Sequence, residues 1–346
     1  MPDVNEPSTG RVLVLGGQGV LGTAIAGAFG AAGWTSVRAG RRPDSGADFR
    51  LVDLDEPDTL ERALDGIDLV VSTVPDERLV AERHVLSRGG VLINVSAMRA
   101  SAVARLRRVP GQPRGTVLMN AGIAPGLTNL LAADLLADHP EADEVELVFT
   151  VSAKSAVGPA GSRFAHRALT TEWRHQTTVV PLPEPFGRRR CVGFAEADNG
   201  WLGAMADGRA VSPYLCISEH RVHSALLAFN SAGIIARLPR SAFASAPPDA
   251  PGAPGAPGVL GVLGAEPVAH WVAVRRRGAC LAARTLRCRG DYRSAAAGTV
   301  LFARSLAPGA GSWPPGVLVP EEAFTIGELR SALAEADIVV VDEQQQ

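Results

Sequence analysis

The chain has 346 residues, enough for about two domains, and its 46% hydrophobic and 20% charged residues exclude global disorder. Lys and Arg number 34 against 36 Asp and Glu, a net charge of -2, so no basic excess exists to neutralise phosphates and a dedicated nucleic-acid binder is excluded. No apolar run reaches the roughly 18 residues of a bilayer span, and the opening MPDVNEPSTG lacks the basic and apolar stretches of a signal peptide, so no membrane partner and a cytoplasmic location are expected.

Arg11–Leu15 reads as a buried strand that runs straight into Gly16-Gly17-Gln18-Gly19-Val20-Leu21-Gly22. Apolar residues then recur at Val20, Leu21, Ala24, Ile25, Ala28 and Phe29, the spacing of an amphipathic helix, which Gly33 ends. Further strands are predicted at Trp34–Ala39, Phe49–Val52, Asp68–Thr73, Val91–Val95 and Thr116–Asn120, with helices at Pro57–Leu64 and Glu77–Arg88. Alternating strand and helix implies a parallel sheet with right-handed crossovers. Beyond Glu144 the texture becomes that of an α+β domain, beginning with a strand at Val145–Ser152. Residues 246–258 (APPDAPGAPGAPG) read as a flexible Pro/Gly excursion. A hairpin at His270–Arg277 and Ala279–Cys288, a helix at Tyr292–Leu306, a rigid loop at Pro314–Pro320, a helix at Ile326–Ala336 and a closing strand at Ile338–Val341 complete the chain, with a fraying tail. Cys191, Cys216, Cys280 and Cys288 show neither C-x-x-C nor zinc spacing, so free, mostly buried thiols are expected, and no metal.

Gly17-x-Gly19-x-x-Gly22 follows a strand and opens a helix, the setting in which G-x-G-x-x-G binds a dinucleotide. The glycines permit a tight turn and close approach of the pyrophosphate to free N–H groups at the helix start. An NAD or FAD site carries an acid at the end of the second strand. Here Val37-Arg38-Ala39-Gly40-Arg41-Arg42 has none, and Arg41, then Arg42, suit the 2′-phosphate of NADP(H). NAD(H) and flavin stay open as alternatives. Asp53 is a candidate adenine-side contact, and Thr73-Val74-Pro75 should pass near the nicotinamide ribose.

Two more segments are distinctive. One is Asn120-Ala121-Gly122-Ile123-Ala124-Pro125-Gly126-Leu127-Thr128-Asn129. The other is Arg289-Gly290-Asp291-Tyr292 before a helix, followed by Pro315-Gly316-Val317-Leu318-Val319-Pro320-Glu321-Glu322. With the glycine motif, these resemble the saccharopine dehydrogenase-like NAD(P)-dependent reductases over residues 11–130 and, less closely, 288–340. The resemblance implies a doubly wound Rossmann domain (1–135), an inserted α+β substrate and dimerisation domain (136–310), and a C-terminal segment (311–346) returning to the Rossmann half. It further implies hydride chemistry on C–N bonds and a homodimer. The nicotinamide pocket is expected between Val74–Pro75, Ser96 and Gly122–Pro125 on one side and the inserted domain on the other.

For proton transfer and substrate binding the candidates lie in the second domain. Ser162 and His166 are four apart and would share a helical face, with Arg163 and Arg167 on the neighbouring one. Arginine there could hold a carboxylate and leave His166 as proton donor; the alternative is a solvated basic helix. Lys154 is the only lysine of the chain, and Tyr214 is one of 2 tyrosines. Pro125 and Trp173 are further candidates for the substrate pocket. The expected activity is NADPH-dependent reduction of an imine formed from an amine and a carbonyl compound, or its reverse, in a setting such as secondary metabolism. The alternatives are a carbonyl or enoyl reductase and a non-catalytic sensor of NADP(H). The substrate is a small molecule in each enzymatic case.

Overall fold

A computed structural model describes residues 10–44, 46, 48–153, 176–193, 208–237, 266–306 and 313–343. In chain order the elements are β1 (Arg11–Leu15), α1 (Val20–Ala31), β2 (Thr35–Gly40), β3 (Phe49–Leu51), α2 (Pro57–Ala63), β4 (Leu69–Ser72), α3 (Val80–Arg88), β5 (Val91–Asn94), α4 (Ala100–Arg107), β6 (Thr116–Leu118) and α5 (Leu127–Asp138). Then come β7 (Glu144–Val151), β8 (Thr177–Leu182), β9 (Gly187–Gly193), β10 (Ala210–Ile217), α6 (His220–Ser231), a 3-10 turn (Ile235–Arg237), β11 (Pro267–Arg276) and β12 (Ala279–Arg289). The last are α7 (Asp291–Leu306), β13 (Gly316–Leu318), α8 (Pro320–Ala323), α9 (Ile326–Glu335) and β14 (Val339–Glu343). They form two compact units, residues 1–127 with 295–323 and residues 128–294 with 324–346.

The first unit is a seven-stranded, all-parallel sheet in the order β13-β6-β5-β4-β1-β2-β3. This is the doubly wound order, reversing between β1 and β4. The strands read as continuous apolar runs because helices cover both faces: Val12, Leu13, Val14, Val71, Leu92, Ile93 and Val117 are fully buried or nearly so. Helix α1 packs Ile25 and Phe29 inward, and Phe29 meets Trp34 edge to face with centroids 5.5 Å apart. The chain reverses at Gly33, whose φ of 88° suits glycine.

The second unit is a mixed seven-stranded sheet, β14-β12-β11-β7-β10-β9-β8, in which β7 and β10 run parallel and the other pairs antiparallel. One face carries Val148, Cys191, Cys216, Ala269, Trp271 and Ala273 in a single apolar cluster. All four cysteines are free; Cys280 is exposed and the other three are buried. Among the described residues, no helix is long and apolar enough to cross a membrane, and no group of His, Cys, Asp and Glu could hold a metal.

The architecture is the doubly wound sheet with an inserted α+β unit that the sequence predicts, but the inserted stretch is 128–294 rather than 136–310, so that most of α7 belongs to the first unit, and there are two further departures at the C-terminal end. Pro314–Pro320, expected as a loop, contains β13, because Gly316 N–H reaches Gly115 O at 2.9 Å and three of the four residues between Pro315 and Pro320 pair with β6. Residues 311–346 do not all return to the first unit. From Phe324 onward they belong to the second, where β14 closes the edge of β12. The β-branched run at Val339–Val341 finds there an open antiparallel edge. The excursion at 246–258 lies outside the described residues.

Candidate functional site

Because every strand of the first sheet points the same way, the residues after β1, β2, β3, β4, β5 and β6 share its carboxyl edge. There lie Gly17–Gly22, Arg41, Arg42, Asp53, Thr73, Val74, Pro75, Ser96, Gly122 and Pro125, all the cofactor-side candidates and one substrate candidate.

The three motif glycines have distinct tasks. A Cβ on Gly17 would sit 2.8 Å from Arg38 Cβ and 2.9 Å from Val14 O, so only glycine lets the turn cross β2. A Cβ on Gly22 would lie 2.2 Å from Gly16 O, so its absence lets α1 pack on the turn. Gly19 is exposed, and a Cβ there would meet only Gly16 O, at 3.3 Å. Gly19 is also the N-cap of α1, with no side-chain cap and no acid in the first turn. The helix start is thus open to an anion, with its N–H groups uncommitted to side chains. A dinucleotide diphosphate fits this cradle.

At the end of β2 the structure has a feature the motif does not reveal. Gly40 occupies the place where an acid would grip a ribose, and a Cβ on it would lie 2.6 Å from Gln18 Oε1. Gln18 fills that space and donates from Nε2 to Arg42 O at 3.1 Å, holding the Arg41-Arg42 loop against the glycine turn. Arg38 pairs with Asp44 at 3.1 Å, whereas Arg41 and Arg42 are exposed and pair with no described carboxylate.

Other candidates are partly committed to structure. Thr73 donates its hydroxyl to Leu15 O at 2.9 Å, which ties β4 to β1. Asp53 Oδ1 accepts from Asp55 N–H at 3.0 Å, closing its own turn. Gly122 and Gly126 close a tight loop: Gly122 N–H donates to Pro125 O at 3.0 Å, and Gly126, at φ 129°, would drive a Cβ to 2.1 Å from Gly122 O.

A buried polar network that the sequence reading missed supports this edge. Glu82 on α3 accepts from Asn94 Nδ2 at 2.6 Å, and Asn94 Oδ1 accepts from Ser96 N–H at 2.8 Å. Asn120, at φ 58°, accepts from Met98 N–H at 2.8 Å and donates to Met98 O at 3.0 Å. The two asparagines end β5 and follow β6, and together they fix the 95–98 loop. Burial, chiefly, pushes the Glu82 carboxyl above its ordinary range. An asparagine at the end of an apolar run, in VLIN and again in TVLMN, is the one trace this network leaves in the sequence.

In the second unit only Tyr214 of the catalytic candidates is described. It lies on β10, half-buried, and its phenol is pushed up by burial first and then by the charges of Glu146 and Glu144. Ser212, its neighbour on the same face, donates to Glu144 at 2.6 Å. Glu146 is buried and paired with Arg275 at 2.6 Å. Lys154, Ser162, Arg163, His166, Arg167 and Trp173 lie outside the described residues.

No protein-family model matches the sequence, and no curated protein matches it. Among solved structures it is similar to apo saccharopine dehydrogenase (L-Glu forming) from Saccharomyces cerevisiae, at 12% identity, with 97% of this chain and 100% of that chain covered and a TM-score of 0.61. It is also similar to a meso-dapdh mutant with DAP from Clostridium tetani (11% identity, 93% and 98% covered, TM-score 0.47). An amine dehydrogenase from Mycobacterium smegmatis follows (11%, 90% and 95%, TM-score 0.44). By its doubly wound sheet, its inserted mixed sheet and the first of these likenesses, the chain has a saccharopine dehydrogenase-like fold.

Proposed function

We propose that this chain is an NADPH-dependent oxidoreductase that reduces an imine formed from an amine and a carbonyl compound, or runs the reverse reaction. The open glycine cradle at the start of α1 carries the reading, since it leaves a space that a diphosphate, and no side chain of the turn, would fill. Gln18 packed on Gly40 supports NADP(H) over NAD(H). It occupies the position an acid would need and presents Arg41 and Arg42 for a 2′-phosphate.

A bound nicotinamide would supply hydride. The chain's own work is binding, orientation and management of one proton. The N–H groups of α1 would hold the diphosphate, and Arg41 the 2′-phosphate. The 95–98 loop, fixed by Asn94 and Asn120, would bound the nicotinamide side with Val74 and Gly122. His166 and Lys154 remain proposed proton-transfer residues, with Ser162, Arg163, Arg167, Trp173 and Pro125 on the substrate. The reading includes a small-molecule substrate, a cytoplasmic homodimer and no nucleic-acid or membrane partner.

A carbonyl or enoyl reductase is the second reading. Tyr214 favours it, because a phenol kept protonated by burial and two nearby carboxylates can donate to a developing oxyanion. NADPH consumption against aldehydes, keto acids and enones, each with and without amines and with products weighed by mass spectrometry, separates the two. Turnover that needs both amine and carbonyl supports C–N chemistry. Turnover of a carbonyl or enone alone overturns it in favour of the second reading. NADPH bound tightly without turnover of any pair overturns both.

A further inference from the structure

Strands β9 and β10 pair Gly193 with Tyr214 and Val192 with Leu215, and the next step of that antiparallel register sets Cys191 against Cys216. Directly opposed residues have Cα atoms about 4.5–5.5 Å apart, inside the roughly 4.4–6.8 Å that a disulfide spans. Both thiols are free and 0% exposed; Cys191 Sγ donates to Arg189 O at 3.7 Å and Cys216 Sγ to Ile217 O at 3.6 Å. Cysteine often serves cores simply as a small apolar residue, and their cluster with Val148, Ala269 and Trp271 would suit that role. A neighbouring cation does not. Arg189 precedes Cys191 by two residues on the same face of β9 and is buried. Its Nε donates to Phe186 O at 2.8 Å and its Nη2 to Ser218 O at 3.4 Å, while Nη1 has no hydrogen-bond partner. No described carboxylate pairs with it. An uncompensated guanidinium in an apolar cluster is costly, and it is best offset by a neighbouring anion.

We propose that Cys191 and Cys216 form a reversible redox site, which a peroxide closes to a cross-strand disulfide. The two sulfurs divide the labour. The opposed Cys191 thiol, and then the Arg189 charge, pull the Cys216 thiol down against burial, whereas the neighbouring Cys216 sulfur and burial push Cys191 up. Cys216 is therefore the attacking thiolate. Its sulfur takes one peroxide oxygen as the O–O bond breaks, giving a sulfenic acid and hydroxide. The Cys191 sulfur then attacks the sulfenic sulfur, the S–O bond breaks, and the departing hydroxide leaves as water with the Cys191 proton. The two thiols lose two electrons and the peroxide gains them; a dithiol reductant reverses the change. This proposal is independent of the reaction proposed above.

The test uses the reduced full-length protein and hydrogen peroxide, followed by denaturation, alkylation and peptide mass analysis. The expected product links the Cys191 and Cys216 peptides with loss of two hydrogens, while Cys288 stays alkylatable, and dithiothreitol restores both thiols. In Cys191→Ser, which lacks the resolving thiol, Cys216 should be trapped by a sulfenic-acid reagent. Exposed Cys280 is the internal control. If Cys280 is oxidised while Cys191 and Cys216 both remain alkylatable in the wild-type protein, the proposal fails. It fails equally if either cysteine links to Cys280 or Cys288 instead. The wild-type result decides the matter even if the serine variant does not fold.

Discussion

A Cβ built on Gly19 meets one atom, Gly16 O at 3.3 Å, a contact that a shift of a few tenths of an ångström relieves, so valine strains the turn only slightly but takes the ground where a diphosphate would approach. Gly19→Val should therefore lower NADPH affinity by roughly 100-fold while thermal unfolding shifts little; calorimetric titration beside a melt checks both. Arg41→Ala should weaken NADPH binding by about 10- to 100-fold, the worth of a charge-assisted contact, and leave NADH nearly unchanged. Equal loss for both cofactors would remove Arg41 from the 2′-phosphate. His270 offers a test in acid. It is buried on β11 beside Phe149, neither ring nitrogen has a partner, and burial pushes it down to about 4. Below its unfolded value near 6.5 the unfolded chain takes up a proton that the folded chain refuses, so stability is lost as pH falls from about 6.5 to about 4. The loss should total about 3 kcal/mol, and His270→Leu should flatten that limb in urea titrations across the pH range. At this scale the motif glycines were legible, because a tight turn demands them locally. Glu82, Asn94 and Asn120 were not, because their bonds join positions 12 and 22 residues apart. Opposed cysteines become visible only once a register is known.

Among elements, β1 to β6 of the first sheet were legible to within a residue or two, and of these β1, β4, β5 and β6 are apolar runs buried almost throughout, whereas β13, partly exposed along its length, was not. Strands β8 and β9 were not. Gly187–Gly193 reads GRRRCVG, with Arg188 and Arg190 exposed and Arg189, Cys191, Val192 and Gly193 buried, so arginine hides the strand's inward face. Helix α9 announces itself through Thr325 and Glu328, which form a reciprocal capping box. The short strand after it carries more weight than its length suggests. Glu343 on β14 accepts from Thr285 Oγ1 at 2.6 Å and from Trp271 Nε1 at 3.3 Å, and both donors are buried. Arg284 on β12 reaches Asp342 as well as Asp134 and Asp138 on α5. Glu343→Ala leaves two buried donors unmet and should cost about 2–4 kcal/mol in denaturant unfolding. A change under about 0.5 kcal/mol would mean that water reaches both donors.

At the scale of the molecule, both units are assembled from two stretches of chain, which the sequence reading foresaw for the first unit and missed for the second. Strand pairing across such distances leaves no local signature, and β13 needs β6 before it is a strand at all. Residues 1–135 alone should then unfold at lower temperature, and aggregate more readily, than residues 1–127 joined by a linker to 295–323, which restores the seventh strand. Light scattering and melting of the two proteins would decide it. The same discontinuity has a temporal side. Thr116 donates to Pro314 O across 198 positions, so during synthesis β6 is made long before the strand that covers it. The second sheet receives its edge from β14, the last of the described strands in chain order. A ribosome making this protein therefore holds two unfinished sheets at once, with β6 and β12 bare, and the interval before its final strands emerge is when a chaperone would be needed most.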